Sequence, residues 1–216
     1  CALVRLISIA AMPFNAINGM HCRAPSIPPT HERKLTMSQE TVKAALMQAI
    51  AGIQGNPGAA KVVFRADTRL EEDVRCSAKV RDFPAIVVDE PPELGGADAA
   101  PNPVELLLVA LGACQEIMYS AYASVMGVQL DSVKVNLRGY LDLRGLFGMD
   151  GAIPPGYQKI IFETEVNSPA DTETLMKLVQ TVESHCPVMD SLIRAIEVSG
   201  QVTLNGKLME AEALLA

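Results

Sequence analysis

One segment constrains the fold more than any other. From Pro103 to about Met126 the chain reads PVELLLVALGACQEIMYSAYASVM, and its only charges are Glu105 and Glu116. The uncharged run between those glutamates is about ten residues, short of the ~20 that a bilayer span needs. A helix apolar nearly all round is then expected to be central, covered on most sides by its own protein. The chain has 216 residues, enough for one domain with a sizeable core. With 49% hydrophobic and 20% charged residues, wholesale disorder is excluded. A formal charge of −7 is the wrong sign for neutralising phosphates, and 4% aromatic residues without Trp give few stacking platforms, so no nucleic-acid partner is expected.

The pattern on either side of this helix is mixed. Residues 1–36 carry no helical or alternating pattern, hold Pro13, Pro25, Pro28 and Pro29, and have no acidic residue before Glu32. They are expected to be a leader outside the folded unit, upstream of an ordinary start at Met37. An acid-poor targeting segment is the other reading, and only then is a mitochondrial or exported location expected in place of a cytoplasmic one. Residues 37–60 are expected to form an N-terminal helical extension, with Ser38 as N-cap and Val42, Leu46, Ile50 and Ile53 at helical spacing, stopped by Gly52, Gly55 and Asn56-Pro57-Gly58. Strands are expected at Lys61–Asp67, with a turn at Asp67–Arg69, then at Val74–Val80 and Ala85–Val88. After the long helix, Val133–Leu141 and Ile160–Val166 alternate as half-buried strands, separated by a glycine-rich loop to about Gly156. Ser168–Pro169 is expected to open a second helix with the stripe Leu175, Leu178, Val179 and Val182. His185-Cys186-Pro187 breaks it, and Met189–Ala195 reads as a short further helix. A last strand covers Val198–Leu204, before a tail over 207–216. Strands, a central helix, then strands, helix and strand make an α+β fold, not a doubly wound one.

Five cysteines without dense spacing do not form a secreted disulfide framework. There is no Cys-x-x-Cys, and His21, His31 and His185 make no ligand array, so no metal is expected. Cys1 and Cys22 fall in the leader. Cys76 shares the apolar parity of its strand and reads as a core residue. Cys114 lies in the central helix, where periodicity alone gives a core cysteine. Cys186 precedes Pro187, so it would be the N-cap of the next helix, where backbone N–H groups favour a thiolate. At about 100° per residue, Glu105 and Glu116 project away from Cys114, which weakens either as its base.

Pro101-Asn102-Pro103-Val104-Glu105-Leu106-Leu107, leading to Leu111-Gly112-Ala113-Cys114, with His185-Cys186-Pro187-Val188 about seventy residues later, resembles the OsmC/Ohr family of osmotically inducible and organic hydroperoxide resistance proteins. Glu93-Leu94-Gly95-Gly96 is also similar, and the resemblance runs from Lys61 to Leu204, within a domain placed at residues 61–206. It implies an intertwined α+β homodimer, with antiparallel sheets around central helices and both thiols at the interface. It implies a peroxidase that reduces organic hydroperoxides without a metal, haem, flavin or other cofactor, with Cys114 as the peroxidatic thiolate and Cys186 as the resolving thiol. An external dithiol or dihydrolipoyl protein would reduce the resulting disulfide. The family's arginine from the N-terminal strands falls near Arg75, with Arg65, Arg69 and Arg81 as alternatives. One departure stands out. The family's glutamate ten residues before the first cysteine is Val104 here, so Asp89, Glu90 or Asp98 would have to substitute, or activity would be weak. A non-catalytic or redox-sensing member that binds a small apolar or thiol ligand is therefore the competing expectation.

Overall fold

The structure is a computed structural model and describes residues 38–209. The leader, with Cys1 and Cys22, and the end of the tail lie outside the described residues.

Helix α1 (Gln39–Gly55) is capped by Ser38, whose side chain accepts from the Thr41 N–H. It runs through Gly52 and ends at Gly55 with Asn56 as its C-cap, within the glycine-containing stretch expected to stop it. It has no buried residue and lies against the long helix, anchored by Gln39 Nε2 donating to the Val128 carbonyl at 2.7 Å. The first hairpin falls later than the sequence pattern suggests. Its strands are β1 (Asp67–Glu72) and β2 (Arg75–Lys79), so residues 61–66 are not a strand and the turn is at Asp73–Val74. Asp73 adopts φ 48°, a left-handed conformation that Asp tolerates better than most residues, which places the turn here. Strand β3 (Ile86–Val88) pairs antiparallel with β2 and completes a three-stranded sheet in the order β1-β2-β3.

Helix α2 (Pro103–Met126) has the bounds its sequence suggests. Asn102 and Glu105 form a reciprocal capping box at 2.9 Å each way, Pro103 stands in the first turn, and Gly127 closes the helix at φ 72°. By length and composition, with mean hydropathy 1.4 over its best 18 residues, α2 is apolar enough to cross a membrane, so its two glutamates alone do not exclude a span. Its packing marks it as a core helix. Tyr119 and Ala123 meet Leu178 and Val182 of α4 (Thr172–His185) in the buried cluster, with Val128 beside them. On its sheet side, Gly112 allows contact with β4 (Ser132–Leu141): a Cβ at that position would sit 2.7 Å from Leu137 Cδ1.

The helix is nevertheless not covered on most sides. Val109 and Ile117 are 58% and 67% exposed, so one flank of α2 is open within the chain. Strand β4 alternates half-buried and exposed residues throughout and pairs antiparallel with β5 (Tyr157–Asn167), as the alternation requires. Between them, the glycine-rich stretch holds one short helix, α3 (Leu143–Leu146), started by Asp142.

Helix α4 starts at Thr172 because Asp171, not Ser168, caps it: Asp171 Oδ1 accepts from the Thr174 N–H at 2.9 Å. Ser168 instead donates to the Gln129 carbonyl at 2.5 Å. Cys186 ends α4 and begins α5 (Pro187–Ile193), which starts two residues earlier than the Met189 expected. The last strand is shorter than expected and pairs within a hairpin, β6 (Val202–Leu204) with β7 (Lys207–Met209). Asn205 and Gly206 turn it at φ 50° and 81°, the Asn-Gly turn suited to two-residue hairpins. This is an α+β fold with antiparallel sheets, of which the β4–β5 sheet packs on the long helix while the β1–β3 sheet and the β6–β7 hairpin do not, so the expected wrapping of sheets around the helix is only partly present within the chain.

Leu178 is fully buried between α4 and α2. Replacing it with Ala should destabilise the protein by about 2–5 kcal/mol, through lost burial and a residual cavity. Urea denaturation should show this as a lower midpoint.

Candidate active site

Two helices bring the thiols together. Cys114 projects from the middle of α2, half-buried. Cys186 stands at the joint between α4 and α5, 1% exposed. Pro187 at the first helical position sets this joint, because proline cannot continue α4 yet starts α5 without losing a hydrogen bond. The Cys186 side chain makes no capping bond to α5 and instead reaches the Cys114 side chain. The helix N-terminus that sequence reasoning gave to Cys186 acts on the other sulfur, since the Val188 backbone N–H is directed at Cys114.

Burial pushes the Cys114 thiol up from its ordinary pKa. The Val188 N–H opposes that by stabilising the anion, while the adjacent Cys186 adds to the rise. Among the described residues, these are the groups that bear on Cys114, and no cation is among them.

Neither glutamate of α2 serves the thiol. Glu105 is occupied in the capping box, and Glu116 Oε1 accepts from the Val135 N–H of β4 at 3.2 Å. The side chain at position 104 is apolar, while its carbonyl accepts from the Tyr157 hydroxyl at 2.9 Å. Gln115, next to the thiol, is 1% exposed, and neither end of its amide has a hydrogen-bond partner among the described residues. Sequence reading passed over it because nothing in a one-dimensional pattern distinguishes a buried amide from a solvated one.

Arg75 is not brought to Cys114 within the chain. It lines a separate cavity of about 210 Å³ with Glu72, Asp89 and Gly95, and its Nη2 donates to Glu72 Oε2 at 2.6 Å. A second, mostly apolar cavity of about 350 Å³ lies between α2, β5 and α5, lined by Leu107, Leu111, Phe162, Met189 and Leu192 with Lys159 at its edge; neither cysteine lines it. Leu111 precedes Cys114 by one helical turn and Met189 follows Cys186 closely, so this cavity continues from the two helices that hold the sulfurs. Its size suits a small organic molecule.

The chain resembles known proteins in the same region. A family model described as OsmC-like protein matches residues 95–200, which include both Cys114 and Cys186. The crystal structure of an OsmC-like protein from Mycoplasma pneumoniae superposes with a TM-score of 0.53 at 20% identity, covering 61% of this chain and 88% of that one. An OsmC-like protein of unknown function from Vibrio cholerae gives 0.51 at 14% identity, covering 61% and 94%. The organic hydroperoxide resistance protein OsmC from Legionella pneumophila gives 0.48 at 19% identity, covering 62% and 92%. No curated protein matches the chain. At these identities the structural likeness shows the fold, and the family model adds the membership: through its domain at residues 95–200, the chain belongs to the OsmC family.

Proposed function

We propose that the protein is a thiol-dependent peroxidase that reduces organic hydroperoxides. The observation that carries this reading is the meeting of Cys114 and Cys186, from separate helices that also line an apolar cavity through Leu111 and Met189. The Cys114 thiolate attacks the terminal oxygen of ROOH, the O–O bond breaks, and the alcohol ROH leaves after taking a proton. The sulfur is oxidised to a sulfenic acid. The Cys186 thiol then attacks that sulfur, water leaves, and a Cys114–Cys186 disulfide forms. A dithiol or dihydrolipoyl reductant restores both thiols and is itself oxidised to a disulfide.

The first step needs an anion, yet burial holds Cys114 on the thiol side. A cation must be added, and Arg75 of a second copy is the proposed source. The homodimer reading has support from apolar residues left exposed on both elements concerned. Val109 and Ile117 of α2 are 58% and 67% exposed, and Ile86 and Val87 of the Arg75 sheet are 47% and 46% exposed. The competing reading, a non-catalytic protein that binds a small apolar or thiol ligand, is favoured by the raised Cys114 pKa and by the apolar Val104.

Four outcomes are expected. In an assay with cumene hydroperoxide and dithiothreitol, Cys114→Ser should lose at least about 100-fold in turnover, the scale on which covalent catalysis depends on its nucleophile. Cys186→Ser should give one round of sulfenic acid, detected by dimedone labelling and mass spectrometry. Undiminished steady turnover in Cys114→Ser would sink the peroxidase reading, and reactive thiols without any turnover would favour the binding one. Replacing Cys186 with Ala removes a group that raises the Cys114 pKa, so the pH midpoint for Cys114 alkylation should move down. Sedimentation equilibrium should give twice the chain mass, with Ile117→Asp shifting it toward the monomer.

A further inference from the structure

The apolar cavity between α2, β5 and α5 has one boundary that is built differently from the rest. Tyr157 lines it, and three separate features hold its ring in place. The first is a β-bulge. The β4–β5 register pairs Tyr140 with Lys159 and Leu141 with Tyr157, so Gln158 is an extra residue without a partner. Such an insertion interrupts the regular alternation of side chains along a strand. Without it Tyr157 would share the outer face with Lys159, whose Nζ stands 5.6 Å from the centre of the exposed Tyr140 ring. The bulge turns Tyr157 inward instead, to the side of Ile160 and Phe162, which line the same cavity.

The second feature is the glycine beneath the ring. Gly139 lies on the half-buried face of β4, and a Cβ there would stand 2.3 Å from Tyr157 Cε1 and 2.6 Å from its Cζ. Any other residue at 139 would push the ring from its seat. The third is a hydrogen bond at the far end of the side chain. The Tyr157 hydroxyl donates to the Val104 carbonyl, in the first turn of α2, at 2.9 Å. Burial, with the Glu105 charge acting in the same sense, raises the Tyr157 pKa, so the phenol keeps the proton that it donates. The ring therefore crosses from sheet to helix as a fixed bar. Ile193 of α5 also lines the cavity but is 76% exposed and has no such support.

The order of residues along α2 gives this bar a consequence. Leu111 and Met189 mark the end of the cavity that adjoins the thiol-bearing turns, and Leu107 lies one turn nearer the start of α2. Tyr157 stands at the opposite end, on the turn of Val104. From residue 111 back to residue 104 a helix rises about 10 Å, at 1.5 Å per residue. An extended chain of about eight carbons fills that length, with C–C bonds of about 1.5 Å. We propose that Tyr157 is a specificity-determining residue, its ring seated on Gly139 and tied to the Val104 carbonyl so as to limit the organic group in this cavity to about eight carbons. The proposal rests on the reading that the cavity receives the organic part of a hydroperoxide, and its test uses the alcohols that such a reaction releases.

The test measures binding of straight-chain primary alcohols, from butanol to decanol, to the full chain, followed by the methyl NMR signal of Met189. In the parent, each added carbon should tighten binding by about fourfold, the scale of one buried methylene, up to about octanol and not beyond. In Tyr157→Ala the gain should continue, so that decanol binds about tenfold more tightly than to the parent while hexanol stays within about twofold. Gly139→Ala keeps Tyr157 in the chain but displaces its ring, and should move the break in the series by at least one carbon. The proposal thus stays testable if Tyr157→Ala does not fold. A break at the same alcohol in the parent and in both variants overturns it, and so does a parent that binds no alcohol. Alcohols have no O–O bond, so a break that moves as expected, without any hydroperoxide turnover, would count against the peroxidase reading alone.

Discussion

Helix α2 sets the position of nearly everything else because it is held from several directions at once. Its start is tied by a reciprocal cap between Asn102 and Glu105, and its end by Gly127 in a left-handed conformation. Tyr119 and Ala123 fix its rotation against Leu178 and Val182, at roughly 1.5–3 kcal/mol for each large side chain buried. Gly112 lets the backbone approach Leu137 of the sheet. A helix so constrained has no freedom to turn Cys114 away from α5. The reactive geometry is a product of packing, and the thiol occupies a place that ordinary core forces already determine.

The N–H groups at the start of α5 bear on a different sulfur from the one that caps the helix. Proline at the start of α5 aims free backbone N–H groups outward, and the one from Val188 is directed at Cys114, not at the cysteine that caps the helix. Burial works against this N–H and exceeds it within the chain. The balance explains why local sequence reasoning and family resemblance disagreed about which cysteine is the better nucleophile. A cap position says where N–H groups emerge, but only the fold says which sulfur they meet.

Much of the architecture was legible because hydrophobic pattern and burial coincide where an element has one wet face. Helix α2, the alternating β4 and β5, and the Cys186-Pro187 joint all follow from spacing. The misses have physical causes. Residues 61–66 are as apolar as a strand, yet the left-handed Asp73 moves the hairpin toward the C-terminus. Asp171 outcompetes Ser168 as a cap, a contest that composition cannot decide. The Asn205-Gly206 turn and the Asn102-x-x-Glu105 box were present as local signals and went unused. The two cysteines that meet stand in motifs the sequence displays, whereas Arg75 was singled out only through the resemblance, beside Arg65, Arg69 and Arg81, and lies in a separate cavity. The seat of Tyr157 over Gly139 could not be read from the pattern, because it depends on a one-residue bulge in the register of β5 with β4.

Gln115 follows Cys114 directly in the chain, sealed from solvent, and neither end of its amide has a partner among the described residues. An amide left in that state costs about 1–3 kcal/mol, which a leucine or methionine of similar bulk would not incur. The helical turn that carries the chemistry is thus the one at which the core gives up cohesion. Selection for stability alone would have filled the position with an apolar side chain, as it did at Leu111 and Tyr119 on either side. The protein accordingly has thermodynamic headroom at this position, close to the atoms on which its activity would depend.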